Sequence, residues 1–155
     1  MMQLSYDVIR SLEGKTLATA ESCTGGGIGK ALTAVPGSSA VYKGGVISYT
    51  NEVKEKLLRV DPAVLERDGA VSASVAEAMA AGVRELFAAD MAVSVTGLAG
   101  PGGDSYGNPV GTVYIGYSDC AHTVSVRYIF SGDRERVREQ AVEAALSLIL
   151  SKIGK

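Results

Sequence analysis

The chain has 155 residues, 46 % apolar and 21 % charged, a balance that belongs to a globular protein with a core rather than to a disordered one. Fifteen basic and seventeen acidic side chains leave a net charge of −2, so no broad cationic field exists for nucleic acid or an anionic membrane surface, and neither is an expected partner. Apolar runs such as Ala144 to Leu150 fall far short of the ~20 residues of a membrane span, and the first residues lack the basic, apolar, small-residue succession of a leader; the expected location is the cytoplasm.

In chain order, Leu4, Val8 and Leu12 recur at helical spacing up to Gly14, and Thr16 to Ala20 follows as a short strand. A glycine turn, Gly25 to Gly27, leads into a helix carrying Ile28, Leu32 and Val35, stopped by Pro36-Gly37. Gly45 to Tyr49 predicts a second strand, with Asn51 as cap of a helix holding Val53, Leu57 and Leu58. Asp61-Pro62 predicts a cap and first-turn proline for another short helix, ended by Asp68-Gly69. Ser74 and Glu77 fit a capping box ahead of a long helix through Val75, Met79, Val83 and Leu86. The strand Met91 to Thr96 then gives way to a Gly- and Pro-rich loop from Gly97 to Pro109. Val110 to Tyr117 and Thr123 to Phe130 flank a connection short enough for an antiparallel hairpin. A final helix after Ser131-Gly132-Asp133 sets Val137, Ala141, Ala145 and Leu148 on one face. About five strands interleaved with helices predict one α/β domain over residues 1–155, its sheet mixed because of the hairpin.

Two cysteines, Cys23 and Cys120, are too few for a disulfide framework, and His122 is the single histidine, so no Cys/His zinc set can form; neither metal nor cofactor is expected. Glycine is abundant, nineteen of 155 against a usual ~7 %, and clusters after strands. Ala20-Glu21-Ser22-Cys23-Thr24-Gly25-Gly26-Gly27 puts a hydroxyl and a thiol between a strand end and a helix start, a placement that suits a nucleophile beside oxyanion donors. The alternative is that Ser22 or Thr24 merely caps the helix. Phosphate-loop motifs fail here, since Ala31 and Lys30 stand where a Walker loop and a dinucleotide fingerprint need Ser/Thr and Gly. His122 has no evident route to Ser22, which leaves Lys54, in the first turn of the helix after Tyr49, as the candidate base. The helix dipole and desolvation would lower its pKa; the competing reading is a solvated lysine among Glu52, Glu55 and Lys56. Thr96-Gly97-Leu98-Ala99-Gly100 also follows a strand and is expected at the same sheet edge. Arg134 and Arg138 share a helix face and suit a phosphate, or are ordinary surface arginines.

Seven segments in order, Ala20 to Gly26, Pro36 to Ser39, Gly45 with Tyr49 to Lys54, Gly69 to Ser72, Thr96 to Pro101, Pro109 to Val113 and Phe130 to Arg134, resemble the CinA C-terminal domain family over nearly the whole chain. The resemblance implies a three-layer α/β/α sandwich with a mixed, mainly parallel sheet. The activity it implies is nicotinamide mononucleotide deamidation, giving nicotinic acid mononucleotide and ammonia, with a non-catalytic pyridine-nucleotide-binding module as the alternative. Carried onto this sequence, it makes Ser22 the nucleophile and Lys54 the base, with Tyr49 beside them. Thr24, Gly25, Gly26, Thr96, Gly97, Ala99 and Gly100 would contact substrate, and Arg134 or Arg138 its phosphate. A hydrolase using Cys23 is the remaining rival. A homodimer is expected on the resemblance alone.

Overall fold

In a computed structural model describing residues 1–153, a five-stranded sheet in the order β2-β1-β3-β4-β5 lies between two helical layers. The elements are α1 (Met2–Ser11), β1 (Leu17–Glu21), α2 (Gly27–Thr33), a 3₁₀ turn (Ser38–Ala40), β2 (Tyr42–Ile47), α3 (Asn51–Leu58), α4 (Pro62–Asp68), α5 (Ala73–Phe87), β3 (Met91–Gly97), β4 (Thr112–Asp119), β5 (Thr123–Ile129) and α6 (Arg134–Ile153). β1 pairs in parallel with both β2 and β3, whereas β4 runs antiparallel to β3 and β5. Four strands thus share one direction and β4 alone is reversed, the mixed α/β/α sandwich expected from the sequence.

Both faces of β1 and β3 are covered, and their side chains are buried almost throughout, the polar Thr19, Glu21, Ser94 and Thr96 included. On one face Leu17, Val93 and Ile115 pack with Val8 of α1, Leu32 of α2 and Leu146 of α6. On the other, Ala18, Ala20 and Ala92 meet Val75, Met79 and Val83 of α5, together with Leu58 and Leu65. The small residues on this face let α5 lie close to the sheet.

Several boundaries differ from the sequence reading. β2 starts at Tyr42 rather than Gly45, because pairing with β1 runs from Leu17↔Tyr42 to Glu21↔Ile47 and holds two glycines of low strand propensity in extended pairing. Thr50, not Asn51, caps α3, its Oγ1 accepting from the Val53 amide at 3.4 Å. α5 is capped by Ser72 in place of Ser74, since Ser74 lies inside the first turn and donates to Asp68 at 2.6 Å, and Glu77 accepts from Ser125 Oγ instead of closing a capping box. β4 begins at Thr112, after Gly111 turns the chain at φ 93°.

Candidate active site

β1 and β3 are neighbours running in parallel, so the segments leaving their carboxyl ends, Ser22 onward and Leu98 onward, emerge side by side. The Ser22 amide extends the ladder by one bond, donating to Val95 O at 3.0 Å, after which the chain turns sharply. Gly25 and Gly26, at φ 57° and 102°, supply left-handed conformations that would strain a side-chain-bearing residue, and α2 starts at once. The outcome is a buried Ser22, only 8 % exposed, facing the loop after β3.

Lys54 is the counterpart. It sits in α3, 2 % exposed, and its Nζ is 2.8 Å from the Ser48 carbonyl and 3.2 Å from Ser22 Oγ. The solvated-lysine reading is therefore excluded by packing. Burial, which disfavours the ammonium form, lowers the Lys54 pKa from 10.5 to about 8. No carboxylate lies within ion-pairing distance to restore it, since the four ion pairs among the described residues all lie elsewhere. Ser22 and Lys54 line a cavity of ≈300 Å³, at the small end of ligand sites, with Tyr49, Thr96, Gly97, Ala99, Gly100 and Arg134.

Arg134 spans this cavity's walls: Nη1 donates to the Gly100 carbonyl at 2.6 Å and Nη2 to the Tyr49 hydroxyl at 3.0 Å. Tyr49 thus bonds to the arginine and to neither Ser22 nor Lys54, and the residue is 59 % exposed. Thr96 is 1 % exposed with its hydroxyl donated to Ala70 O at 2.8 Å, so it shapes the cavity floor. Four residues expected at the substrate lie outside the cavity lining: Thr24, Gly25, Gly26 and Arg138. The Gly25 and Gly27 amides close the turn onto Ser22 O and Thr24 O. Arg138 approaches from behind, donating through Nε to Cys23 O at 3.0 Å and through Nη2 to Thr24 O at 3.3 Å.

The Cys23 thiol is buried, and burial pushes its pKa up to about 11, which keeps it protonated and a poor nucleophile. His122 sits beside Asp119 in the β4–β5 hairpin, 3.7 Å between Nδ1 and Oδ1. Because β4 is reversed, Asp119 pairs with Met91 at the start of β3, and the hairpin is at the opposite sheet edge from Ser22. No group of three His, Cys, Asp or Glu side chains capable of holding a metal occurs among the described residues.

The sequence reading gave no site role to Asn51 and Val71, which also line the cavity, or to Glu21 behind it. Asn51 stood there only as a helix cap, and Val71, from the loop between α4 and α5, only as part of the resembling segment Gly69 to Ser72. Glu21 had a signal: an acidic residue ending a strand of apolar and small residues that is buried on both faces.

An α/β/α sandwich with a buried serine–lysine pair at the carboxyl ends of parallel strands defines the class of this protein. The chain belongs to the CinA C-terminal domain family, whose pattern matches residues 2–153. A CinA-like protein of Thermosynechococcus vestitus is 53 % identical over 138 residues, covering 87 % of this chain and 33 % of that protein. One from Synechococcus sp. is 51 % identical, covering 94 % of this chain and 36 % of that protein. The chain thus spans about a third of the length of these curated relatives. Among solved structures, the competence damage-inducible protein A of Klebsiella pneumoniae superposes with a TM-score of 0.96 at 37 % identity, covering 99 % of this chain and 96 % of that one. The competence/damage inducible protein CihA of Agrobacterium tumefaciens gives 0.94 at 36 % identity, covering 99 % and 95 %.

Proposed function

We propose that this chain is an amidohydrolase that deamidates nicotinamide mononucleotide to nicotinic acid mononucleotide and ammonia, serving pyridine nucleotide recycling in the cytoplasm as a homodimer. The observation that carries the reading is the buried contact between Lys54 Nζ and Ser22 Oγ at 3.2 Å, on the wall of a ligand-sized cavity. A serine hydroxyl is a weak nucleophile until a neighbouring base removes its proton, and a desolvated lysine is such a base at mildly alkaline pH.

Neutral Lys54 accepts the Ser22 proton as Oγ attacks the carboxamide carbon. It then delivers that proton to the departing nitrogen, leaving an acyl-serine and ammonia. Water, deprotonated by the same amine, cleaves the ester and returns Ser22. The Ser48 carbonyl, accepting one N–H of Lys54, turns the amine toward Ser22 in both steps. The Leu98 amide donates to Thr112 O, so the Ala99 and Gly100 amides on the facing wall are the donors assigned to the developing oxyanion. Arg134, the arginine that lines the cavity, is assigned to the phosphate, with Tyr49 orienting its guanidinium.

The decisive experiment follows ammonia release from nicotinamide mononucleotide. Turnover that disappears in Ser22→Ala supports the reading. Saturable binding of the mononucleotide without ammonia release overturns it in favour of a binding module.

A further inference from the structure

Glu21 ends β1 immediately before Ser22, is 2 % exposed and does not line the cavity. Its carboxylate is nonetheless the most heavily bonded side chain near the site. Oε1 accepts from the Thr24 hydroxyl at 2.7 Å and the Ile28 amide at 2.8 Å, and Oε2 accepts from the Gly29 amide at 2.9 Å and the Thr19 hydroxyl at 3.4 Å. No Lys, Arg or His pairs with it among the described residues.

Both ends of the Ser22 turn are therefore tied to one residue, the strand side through its main chain and the helix side through its carboxylate. On the strand side, Glu21 O accepts from the Ser48 amide at 2.8 Å, and Ser48 is the residue whose carbonyl holds Lys54. On the helix side, the Glu21 carboxylate anchors Thr24 and the first turn of α2. Between these anchors run Gly25 and Gly26, which bring no side chains of their own to pin the turn. The Ile28 and Gly29 amides, which a helix start would otherwise leave unpaired, are filled by Glu21 and are not available to a ligand.

We infer that Glu21 is a positioning residue for the proposed hydrolysis: its main chain and side chain together fix the turn that holds Ser22 Oγ against Lys54 Nζ. This inference rests on the reading of Ser22 as nucleophile. The chemistry demands an acceptor-only group, because the Ile28 and Gly29 N–H groups approach different oxygens. In Glu21→Gln the carboxamide presents an NH₂ to one of these donors, and the turn must shift to separate them. Displacement of a reacting group by about 1 Å is worth on the order of a hundredfold in rate.

The test compares wild type, Glu21→Gln and Thr24→Val in two assays, with melting curves giving the folded fraction. The first follows modification of Ser22 by phenylmethanesulfonyl fluoride, read by mass spectrometry, and the second follows kcat and KM for ammonia release from the mononucleotide. In Glu21→Gln, both the labelling rate and kcat per folded molecule should fall by roughly tenfold to a hundredfold, with KM within about twofold of wild type. The alkaline rise in kcat should keep its midpoint near pH 8, since Glu21 does not contact Lys54 Nζ. Thr24→Val, which removes one of the donors and nothing from the cavity, should give a smaller loss in the same two rates.

A merely structural cap would lower the melting temperature and leave both rates per folded molecule unchanged, and that result overturns the inference. Should Glu21→Gln not fold, unchanged rates in Thr24→Val overturn it equally. A wild type that takes no label at Ser22 removes the nucleophile and the inference with it. A labelled wild type beside an equally labelled Glu21→Gln removes the inference alone.

Discussion

Lys54 Nζ lies 3.2 Å from Ser22 Oγ although 32 residues separate them, one side chain descending from α3 and the other rising from the turn after β1. The proposed dyad predicts that Ser22→Ala and Lys54→Arg each lose at least about a hundredfold in kcat, roughly 2.7 kcal/mol or more. A guanidinium stays protonated and cannot accept the serine proton, so retaining positive charge gives no rescue. Wild-type kcat should climb through pH 7 to 9 as Lys54 deprotonates around pH 8. Steady-state ammonia release across that range checks all three.

Replacing Lys54 should abolish activity yet raise stability. Folding takes Lys54 from a pKa of 10.5 to about 8, so the native state disfavours its proton and is penalised wherever the unfolded chain carries one. The penalty is complete below pH 8, at most about 3 kcal/mol, and fades as pH rises toward 10.5. Lys54→Met keeps the volume and abolishes the charge but leaves Ser48 O without its donor, offsetting about 1 kcal/mol. The variant should be inactive yet more stable at pH 7 by about 1–2 kcal/mol, an advantage that vanishes near pH 10. Urea unfolding at the two pH values is the measurement, and a less stable Lys54→Met at pH 7 contradicts it.

The two arginines should separate kinetically. Arg134→Ala should raise KM for the mononucleotide by roughly tenfold to a hundredfold and spare the riboside that lacks the phosphate. Arg138→Ala should act on both substrates alike and through kcat, because its guanidinium holds the Cys23 and Thr24 carbonyls of the turn that carries Ser22. Identical profiles for the two variants would contradict this division.

Cys23→Ala should retain kcat within about threefold, since a thiol whose pKa stands near 11 contributes neither thiolate nor proton transfer at neutral pH. The lost sulfur should cost about 1 kcal/mol of stability through the small cavity left behind. An inactive, fully folded Cys23→Ala would instead favour the cysteine hydrolase.

Gly82 links the fold to the site. It lies in α5 where α3 crosses, and a Cβ there would run into the Leu58 carbonyl at the end of the helix that carries Lys54. Gly82→Ala should destabilise the protein by about 1–3 kcal/mol and lower kcat in the molecules that remain folded, because α3 must back away and take Lys54 with it. Thermal melts with single-turnover kinetics test the coupling.

The order of elements and the mixed sheet were legible in the sequence, because hydrophobic period, glycine turns and the strand–turn–helix pattern are local properties of the chain; Ser22 and Lys54 stood there beside a capping serine and a solvated lysine, and it was the family resemblance that paired them. The sequence reading misplaced the start of β2, since the glycine pair 44–45 disguises a strand that exists only through its pairing with β1. It also chose Asn51 and Ser74 as caps where Thr50 and Ser72 serve, a shift of one or two residues that spacing does not resolve. Packing in three dimensions is what desolvates Lys54, turns Arg134 to the cavity while Arg138 stands behind the turn, and brings Glu21 under that turn. Burial, guanidinium direction and the partners of a carboxylate depend on α3, α5 and α6 packing against the sheet from distant parts of the chain. No local pattern encodes those contacts, and the chemistry of the site depends on them.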